Sequence, residues 1–486
     1  MLHSSDLLIL IAYITGIFIL SWLSFRKNKN QASSMSATDR YLASKSLSFT
    51  ESISSIIATE VSALTFLGLP AFAYDINISF VQIYIGAIFG RILIALIFLP
   101  KVYDQGLTIY EVMAKYSGLP SGQRAVGSIY AIGKILSVGV RLFSGCILVS
   151  QFLDISIYSG ILLVTILTSL YTLIGGLKAV VRTDMIQMIL FIFGGLVAHY
   201  LIPEISNHSW KELMLVAQES NKLVLVDFSN PSPFVYGVLG GFLFDMSTHG
   251  VDQDFVQRLT ATKSLRTGQA SIVLSSFLSI GVGLLFLGVG ALLFAHYQLI
   301  LPEGQILPVG VEKSDQLFAY FIVEYFPAGI KGLMVAGVLA ATMSTLDSTI
   351  NALSATLYND ILGFSDQNAD FSKSTQHSMI ISILLALVAL IASSSSGMLT
   401  LGLKIQSWTG GSLLGIFVTT VLLPSKYKTR LDWKAVVLAY SLGTIGVGLN
   451  VFWINLDWKL NVYFGCFGSL MALQLLRILS SREEQQ

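Results

Sequence analysis

Oxygen-bearing side chains follow a helical spacing in the segment of residues 341–351. In chain order they are Ser344, Asp347, Ser348 and Asn351, at positions i, i+3, i+4 and i+7, with Thr345 beside them. Such positions share one face of an α-helix. The surrounding stretch is apolar enough to cross a bilayer, where inserting a carboxylate costs about 2.5–3.5 kcal/mol. Oxygen ligands without a cationic donor suit a small hard cation, so the stripe predicts a buried Na⁺ site.

A second polar segment, residues 58–70, interrupts an early apolar stretch. Its polar residues are Thr59, Glu60, Ser62 and Thr65, followed by Gly68 and Pro70. Broken helices are tolerated in membranes where they line a cavity, and in secondary transporters their freed carbonyls bind Na⁺ near the midplane. One polar span early in the chain and one late is the pattern expected of an inverted-repeat transporter.

The composition indicates a membrane protein. The chain has 486 residues, of which 54% are hydrophobic and only 12% are charged, against about 25% charged in soluble proteins. A net charge of +1 gives no reason to expect a nucleic-acid partner. The two cysteines, Cys146 and Cys466, form neither a disulfide framework nor a metal motif. The sequence has no Walker motif, so we expect no ATP hydrolysis, and any pumping would draw on an ion gradient or a partner.

Apolar runs of about 20 residues predict an all-α membrane protein with about thirteen transmembrane helices. The predicted spans are residues 6–25, 50–74, 78–103, 122–152, 157–176, 181–202, 233–256, 268–298, 316–359, 375–394, 397–423, 433–454 and 459–479. The ninth is too long for one span, so we expect a short surface helix from 316 and the true span from about 331. Lys and Arg are concentrated in the odd-numbered connections, which puts the N-terminus outside and the C-terminus inside. The whole chain, 1–486, is expected to be one multi-pass domain of the plasma (inner) membrane.

Four sequence segments occur in an order and at separations typical of one transporter family. They are ATEVSALTF at 58–66, GGLKAVVRTDMIQ at 175–187, GVDQDFVQR at 250–258 and ATMSTLDS at 341–348. With them the chain resembles the sodium:solute symporter family, which includes sodium–sugar, proline, sialic acid, monocarboxylate and iodide carriers. The resemblance implies a LeuT-type core of five plus five inverted helices over residues 50–424. Residues 1–49 would then form a peripheral first helix and cytoplasmic loop, and residues 425–486 two peripheral C-terminal helices.

The resemblance also implies the ligands of one or two Na⁺ ions. The main site would use backbone carbonyls of Ala58, Val61 and Ala341 and the hydroxyls of Ser344 and Thr345. A second ion site would use Asp184, Ser344, Asp347 and Ser348. Position 347 departs from the family pattern, in which Ser or Thr is usual. The carboxylate there could strengthen Na⁺ binding, or it could hold a proton instead.

Polar residues of the second, third and fourth spans are candidates for binding the solute. They are Glu60, Ser62, Thr65, Gln82, Tyr84 and Arg141. Arg141 could bind a carboxylate in bidentate fashion, although Glu60 and Arg141 could instead neutralise each other or other buried charges. Arg91 is expected to be structural. A polar cluster ends the seventh span and is expected to form a solvated cytoplasmic mouth and gate: Asp245, His249, Asp252, Gln253 and Asp254.

The expected function is Na⁺-coupled import of a small polar organic solute by alternating access. A sugar or a carboxylate-bearing solute such as sialic acid is favoured, with amino acids and other organic anions as alternatives. A channel or sensor on the same scaffold is a rival class, but polarity confined to mid-depth in two spans favours a binding site over a pore. No nucleophile–base pair or metal-ligand set suggests an enzyme. The expected partners are the solute, the lipid bilayer and Na⁺, which is the only metal.

Overall fold

The computed structural model describes residues 3–29, 41–117, 119–364, 371–392, 398–424, 427 and 430–483. Most of these residues are helical, and the one β-type pairing among them is an isolated bridge between Leu47 and Thr262. The α-helices are α1 Ser4–Lys29, α2 Phe49–Glu60, α3 Leu69–Asp75, α4 Val81–Leu93, α5 Leu99–Val102, α6 Ile109–Ser117, α7 Pro120–Leu153, α8 Ile157–Ser206, α9 Trp210–Glu219, α10 Ser232–Gly250, α11 Gln253–Thr260, α12 Leu265–Ile300, α13 Leu317–Tyr325, α14 Ile330–Ala355, α15 Phe371–Ala392, α16 Met398–Phe417, α17 Trp433–Leu449 and α18 Asn461–Glu483. Short 3₁₀ turns span Ala43–Lys45, Ile78–Phe80, Ser314–Gln316 and Trp458–Leu460, and π-helical turns span Leu64–Gly68, Ile94–Phe98, Thr356–Ile361, Val418–Leu422 and Asn450–Ile454.

The helices have the lengths and hydropathy of membrane spans. Within the described ranges, nine helices are long and apolar enough to cross a bilayer, and the bent pair Phe49–Glu60 and Leu64–Asp75 makes up to ten. The apolar helices Ile157–Leu173 and Gln376–Ala392 are shorter. The prediction of an all-helical, multi-pass membrane protein is therefore confirmed, whereas the number thirteen and the orientation stay predictions.

The second predicted span is broken, but earlier than Gly68 and Pro70 suggest. Helix α2 begins with a capping box and ends at Glu60, where Val61 takes an extended conformation with φ −81° and ψ 94°. The two halves of the span meet at 58°. Pro70 instead lies in the first turn of α3, where its missing N–H group is tolerated.

Helix α8 also contains a break, which separates the predicted spans 157–176 and 181–202. Gly176 lies there with φ 59° and ψ −169°, a conformation that glycine adopts far more readily than other residues. A separate short helix precedes the ninth span as α13, but it is not a surface helix, because Leu317, Phe318, Ala319, Phe321 and Ile322 are buried. Gly329, with φ 86°, precedes the start of α14.

Helix α14 lies in the middle of the bundle, against α1, α2, α7, α8 and α11. Every residue from 334 to 355 is buried, so its polar stripe faces protein rather than lipid. Helix α1 helps to fix its first turn, because a carboxylate oxygen of Asp6 accepts the backbone N–H groups of Gly329 and Gly332 at 2.6 and 2.8 Å. The polar residues of α14 are therefore held at a defined depth within the bundle.

Candidate functional site

Two buried carboxylates, Asp184 of α8 and Asp347 of α14, are predicted ligands of the second ion site. Ser55 donates a hydrogen bond to one oxygen of Asp184 at 2.5 Å, and Ser344 donates to the other. Asp347 accepts hydrogen bonds from the hydroxyls of Tyr171 and, at 3.2 Å, Ser348. Both carboxylates are fully buried. The structure thus brings the predicted second-site residues Asp184, Ser344, Asp347 and Ser348 into one hydrogen-bonded region.

Arg258 of α11 is a residue of this region that the sequence analysis missed. Its guanidinium lies 2.7 Å from Asp254 and 3.6 Å from Asp184. It also donates to Ser55 at 2.7 Å and to Ser348. Asp254 precedes Arg258 by one helical turn in the segment 250–258, and this i, i+4 pairing of opposite charges was a usable signal.

The ionic network around Arg258 carries more negative than positive groups. Its cations are Lys134 and Arg258, and its carboxylates are Asp184, Asp252, Asp254 and Asp347. Lys134 lies 2.8 Å from Asp252 and 3.0 Å from Asp254, and Arg258 lies 2.7 Å from Asp254, so these two cations together balance Asp252 and Asp254. The deficit of positive charge therefore falls on Asp184 and Asp347. An unpaired buried charge costs several kcal/mol, and a bound monovalent cation at this place would relieve that cost.

Three predicted ligands of the main Na⁺ site surround one small void. Ala58 and Val61 line it from the break after α2, and Ala341 lines it from α14. Because α2 ends at Glu60, the carbonyl of Ala58 is one of the terminal carbonyls that lack a donor within the helix. The hydroxyl of Thr345 donates to the Ala341 carbonyl at 3.1 Å, whereas Ser344 is turned towards Asp184. The assignment of this main site stays a prediction.

Gln187 of α8 lines the same void and was not singled out from the sequence. Its side-chain oxygen is buried and has no hydrogen-bond partner, while its nitrogen donates to the hydroxyl of Tyr13 at 3.2 Å. A buried amide oxygen without a partner costs free energy and could serve as a cation ligand. Gln187 closes the segment 175–187, in which the sequence analysis carried over only Asp184.

A larger central cavity lies beside the break in the second span. Its volume is about 90 Å³, whereas a cavity needs roughly 10–15 Å³ on the same measure to hold one water molecule. Most of the predicted solute residues line it: Glu60, Ser62, Thr65, Tyr84 and Arg141. Much of the remaining lining is apolar, from Leu64, Leu69, Phe80, Ile83, Phe255 and Leu403. Trp458 and Lys459 also line it, although their segment was expected to be peripheral.

Gln82 was predicted to bind the solute, and its position in the structure corrects that prediction. It is not among the residues that line the central cavity. Its nitrogen donates to the carbonyl of Leu225 at 2.6 Å, and its side chain packs against Gly237 of α10. Gln82 therefore joins α4 to α10 and the preceding loop, because residue 82 faces α10 rather than the bundle centre.

The acidic groups of the cavity are neutralised from within the bundle. Arg91 is fully buried and lies 2.7 Å from Glu60 and 3.1 Å from Asp245. His249 lies 3.0 Å from Asp245, and Ser279 donates to Glu60 at 2.7 Å. Glu60 is therefore paired with Arg91 rather than with Arg141, which fits the alternative that it neutralises another buried charge, and the expected structural role of Arg91 agrees with these contacts.

The geometry near His249 argues against a metal ion in the cavity. Ligand atoms of Glu60, Asp245 and His249 lie within 4.8 Å of one another. The guanidinium of Arg91, however, already binds both carboxylates, and it supplies the positive charge that a metal would bring.

The polar cluster at the end of the seventh span is not solvated, contrary to expectation. Its residues Asp245, His249, Asp252, Gln253 and Asp254 are all buried. Asp252 accepts from Tyr130 at 2.8 Å and pairs with Lys134. The carboxylates are buried because cations of α4, α7 and α11 neutralise them, which spacing along one helix did not reveal.

Arg141 of α7 differs from the other charged residues of the cavity. One terminal nitrogen donates to the side-chain oxygen of Gln406 at 2.5 Å, and Nε is buried without a partner. Lys459 is paired with Asp457 at 2.7 Å. Among the described residues that line the cavity, Arg141 is the basic residue that has no carboxylate within ion-pair distance.

Comparison with known proteins gives consistent results. The family model described as "sodium:solute symporter family" matches residues 40–428. The human sodium-coupled monocarboxylate transporter 2 is 27% identical over 82% of this chain, and the chain spans only 64% of the length of that relative. The sodium/sialic acid symporter NanT of Aliivibrio fischeri is 24% identical, over 86% of this chain and 83% of its own length.

The fold also has a solved counterpart. The outward-open, substrate-bound structure of a Na⁺-coupled sialic acid symporter matches with a TM-score of 0.85, 20% identity and 98% coverage of both chains. The relatives and this neighbour are transporters rather than enzymes. The family match over most of the sequence, together with this fold, identifies the chain as a multi-pass membrane protein that belongs to the sodium:solute symporter family.

Proposed function

We propose that the protein is a Na⁺-coupled symporter that imports a small carboxylate-bearing solute by alternating access. The observation that carries the proposal is that carboxylates are in excess at one buried site, whereas a cation without a carboxylate partner lies at a neighbouring one. Buried carboxylates exceed cations around Asp184 and Asp347, while Arg141 faces the central cavity without a carboxylate partner. The first arrangement suits monovalent cations and the second suits an organic anion.

The cavity supports a compact solute with one carboxylate and a partly apolar body. Arg141 offers Nε and a terminal nitrogen, the edge that binds a carboxylate in bidentate fashion. Because the acids of the cavity are paired internally and much of its lining is apolar, Arg141 is the charged group left for the solute, and the hydroxyls of Ser62, Thr65 and Tyr84 are neutral polar groups beside it. The substrates named for two relatives, monocarboxylates and sialic acid, each carry a carboxylate.

The proposed ion sites follow the sequence analysis, with two additions. The main Na⁺ site uses Ala58, Val61, Ala341, Ser344 and Thr345, joined by Gln187. The second uses Asp184, Asp347 and Ser348, with Arg258 beside it. Because α2 contributes to the main site and also borders the solute cavity, Na⁺ at the break would order residues that face the solute, and thermodynamic linkage makes this coupling reciprocal.

The finer topology is part of the same proposal. It comprises thirteen spans, an inverted-repeat core over residues 50–424, an external N-terminus and a location in the plasma (inner) membrane. The contacts among α2, α8 and α14 support this core, because they bring the two predicted polar spans together at the centre of the bundle.

Uptake by purified protein in liposomes tests the proposal. We expect an inward Na⁺ gradient to drive accumulation of propionate or lactate, but not of glucose, and a K⁺ gradient of equal size to drive none. Accumulation of propionate that is independent of Na⁺ would contradict coupling. Accumulation of glucose alone would contradict the solute class.

A further inference from the structure

A second, smaller cavity lies next to the central cavity along the same helices. Its lining includes Tyr130, Lys134 and Ser137 of α7, Ser247 of α10, and Thr409 and Gly410 of α16. Arg141 lies on the same face of α7 as these residues, because positions 130, 134, 137 and 141 are spaced three or four residues apart. Lys134 is seven residues from Arg141, about 10 Å along the axis. The two cavities are therefore stacked along one path between α7, α10 and α16.

Gln406 is the residue that lines both cavities in the described chain. It is 7% exposed, and its side-chain oxygen accepts the 2.5 Å hydrogen bond from Arg141. This contact crosses from α16 to α7 between the two cavities. Below it the helices approach closely, because a Cβ atom at Gly133 would lie 2.6 Å from Thr409 and one at Gly410 would lie 2.8 Å from Ser247.

We propose that Gln406 is a latch on Arg141 that separates the two cavities and that the solute carboxylate releases. Without solute, the amide oxygen occupies the guanidinium and closes the path. A carboxylate binds a guanidinium through two charge-assisted hydrogen bonds, each roughly twice as strong as one between neutral groups, so it outcompetes a single amide oxygen. The released Gln406 then leaves the boundary, and the smaller cavity becomes continuous with the central one.

This inference rests on the proposed function for the identity of the solute, but not for the existence of the latch. By the positive-inside rule, the smaller cavity lies on the cytoplasmic side of Arg141. The ion pairs from Lys134 to Asp252 and Asp254 lie at this cavity, and they would close the path further inward. Gln406 would accordingly act as a positioning residue, through Arg141, at the first step of inward release.

Reactivity of a single introduced thiol in the smaller cavity tests the latch. The chain has two native cysteines, so Ser137→Cys is made in a background with Cys146→Ala and Cys466→Ala. The rate of reaction with a hydrophilic maleimide is measured on detergent-purified protein in NaCl, without solute. Ser137 is 2% exposed, so we expect a slow reaction in this background.

The latch variants should change this rate in opposite directions. Gln406→Leu removes the acceptor and should raise the rate at least about tenfold, since a hydrogen bond to a charged group is worth one to two orders of magnitude in an equilibrium constant. Gln406→Glu forms an ion pair with Arg141 and should lower it. Arg141→Leu, which removes the other partner, should reproduce Gln406→Leu. Thr409→Val, which lines the smaller cavity without contacting Arg141, is the matched control and should leave the rate unchanged.

The outcomes separate the latch from the transport proposal. Equal rates in Gln406→Leu, Gln406→Glu and the unmodified latch, in variants that stay monodisperse, would overturn the latch whatever the solute is. Propionate should raise the rate in the unmodified latch but not in Gln406→Leu. If Gln406→Leu opens the cavity and propionate has no effect, the latch stands and the proposed solute class fails.

Discussion

The balance of buried charged groups differs in sign between two regions of the molecule. These are the ion region around Asp184 and Asp347 and the central cavity around Arg141. In the cavity, Arg91 neutralises the acids and one cation is left for a ligand. In the ion region, Arg258 is shared between Asp184 and Asp254, and the carboxylates outnumber the cations. Helix α2 contributes to both, because Ser55 donates to Asp184 and Glu60 lines the cavity. The sign of the leftover charge, rather than the number of polar residues, distinguishes a cation site from an anion site here.

The largest expected effect comes from removing the cation of the ion region. Arg258→Leu leaves Asp184 and Asp254 short of a partner, and breaking a buried pair in this way costs about 3–5 kcal/mol. We expect a large fall in thermal stability in detergent. Arg141→Leu, which breaks no ion pair, is the control and should melt close to the unmodified protein. Equal melting temperatures in the two variants would mean that the surplus charge assigned to the ion region is wrong.

Arg141→Leu should instead remove solute binding. A hydrogen bond to a charged group contributes about 1.5–3 kcal/mol, so we expect propionate affinity to fall roughly tenfold to a hundredfold. Arg141→Lys keeps the charge but loses the bidentate geometry, and it should give an intermediate affinity. The measurement is inhibition of Na⁺-driven uptake by unlabelled solute. An unchanged affinity in Arg141→Leu would remove the anion site from the cavity.

Asp347→Ser should change the ion stoichiometry while solute recognition stays intact. The substitution removes one surplus negative charge and keeps an oxygen at the position. If Asp347 binds a second Na⁺, the Hill coefficient for Na⁺ should fall towards one while the propionate affinity at saturating Na⁺ changes less than about threefold. An unchanged Hill coefficient would show that the carboxylate does not belong to a Na⁺ site.

The smallest effect is expected at Gln187. If its unpartnered oxygen is a ligand at the main site, Gln187→Leu should weaken Na⁺ binding by about two- to tenfold, as for a hydrogen bond of roughly 0.5–1.5 kcal/mol. Gln187→Glu keeps the shape and adds charge, so it should bind Na⁺ at least as tightly. The Na⁺ dependence of uptake gives both values. Equal half-saturation in all three proteins would exclude the residue from the site.

Periodicity and hydropathy predicted the parts of the fold that depend on local sequence. The broken second span and the buried stripe on α14 follow from polar residues placed inside apolar runs, and the separate short helix before α14 follows from the excessive length of the ninth run. The exact break did not follow, because Gly68 and Pro70 fit within continuing helical turns while Val61 takes the extended conformation.

Charge pairing across helices was less predictable. Arg91 of α4 forms ion pairs with both Glu60 of α2 and Asp245 of α10, although these three residues are far apart in sequence. Sequence reasoning therefore left open whether Glu60 pairs with Arg141 or with another buried charge. Gln406 and Gln187 were missed because a neutral amide in an apolar helix gives no signal until its neighbours are known.

The most direct test of the two-site account is Na⁺ binding by three purified proteins in the absence of solute. Stabilisation against thermal unfolding is measured as Na⁺ replaces K⁺ at constant ionic strength, for the unmodified protein, Arg141→Leu and the double variant Ser344→Ala with Thr345→Ala. Ligand linkage predicts a melting temperature that rises with Na⁺ in the first two proteins and not in the double variant. Undiminished Na⁺ stabilisation of the double variant, or its loss in Arg141→Leu alone, would contradict the account.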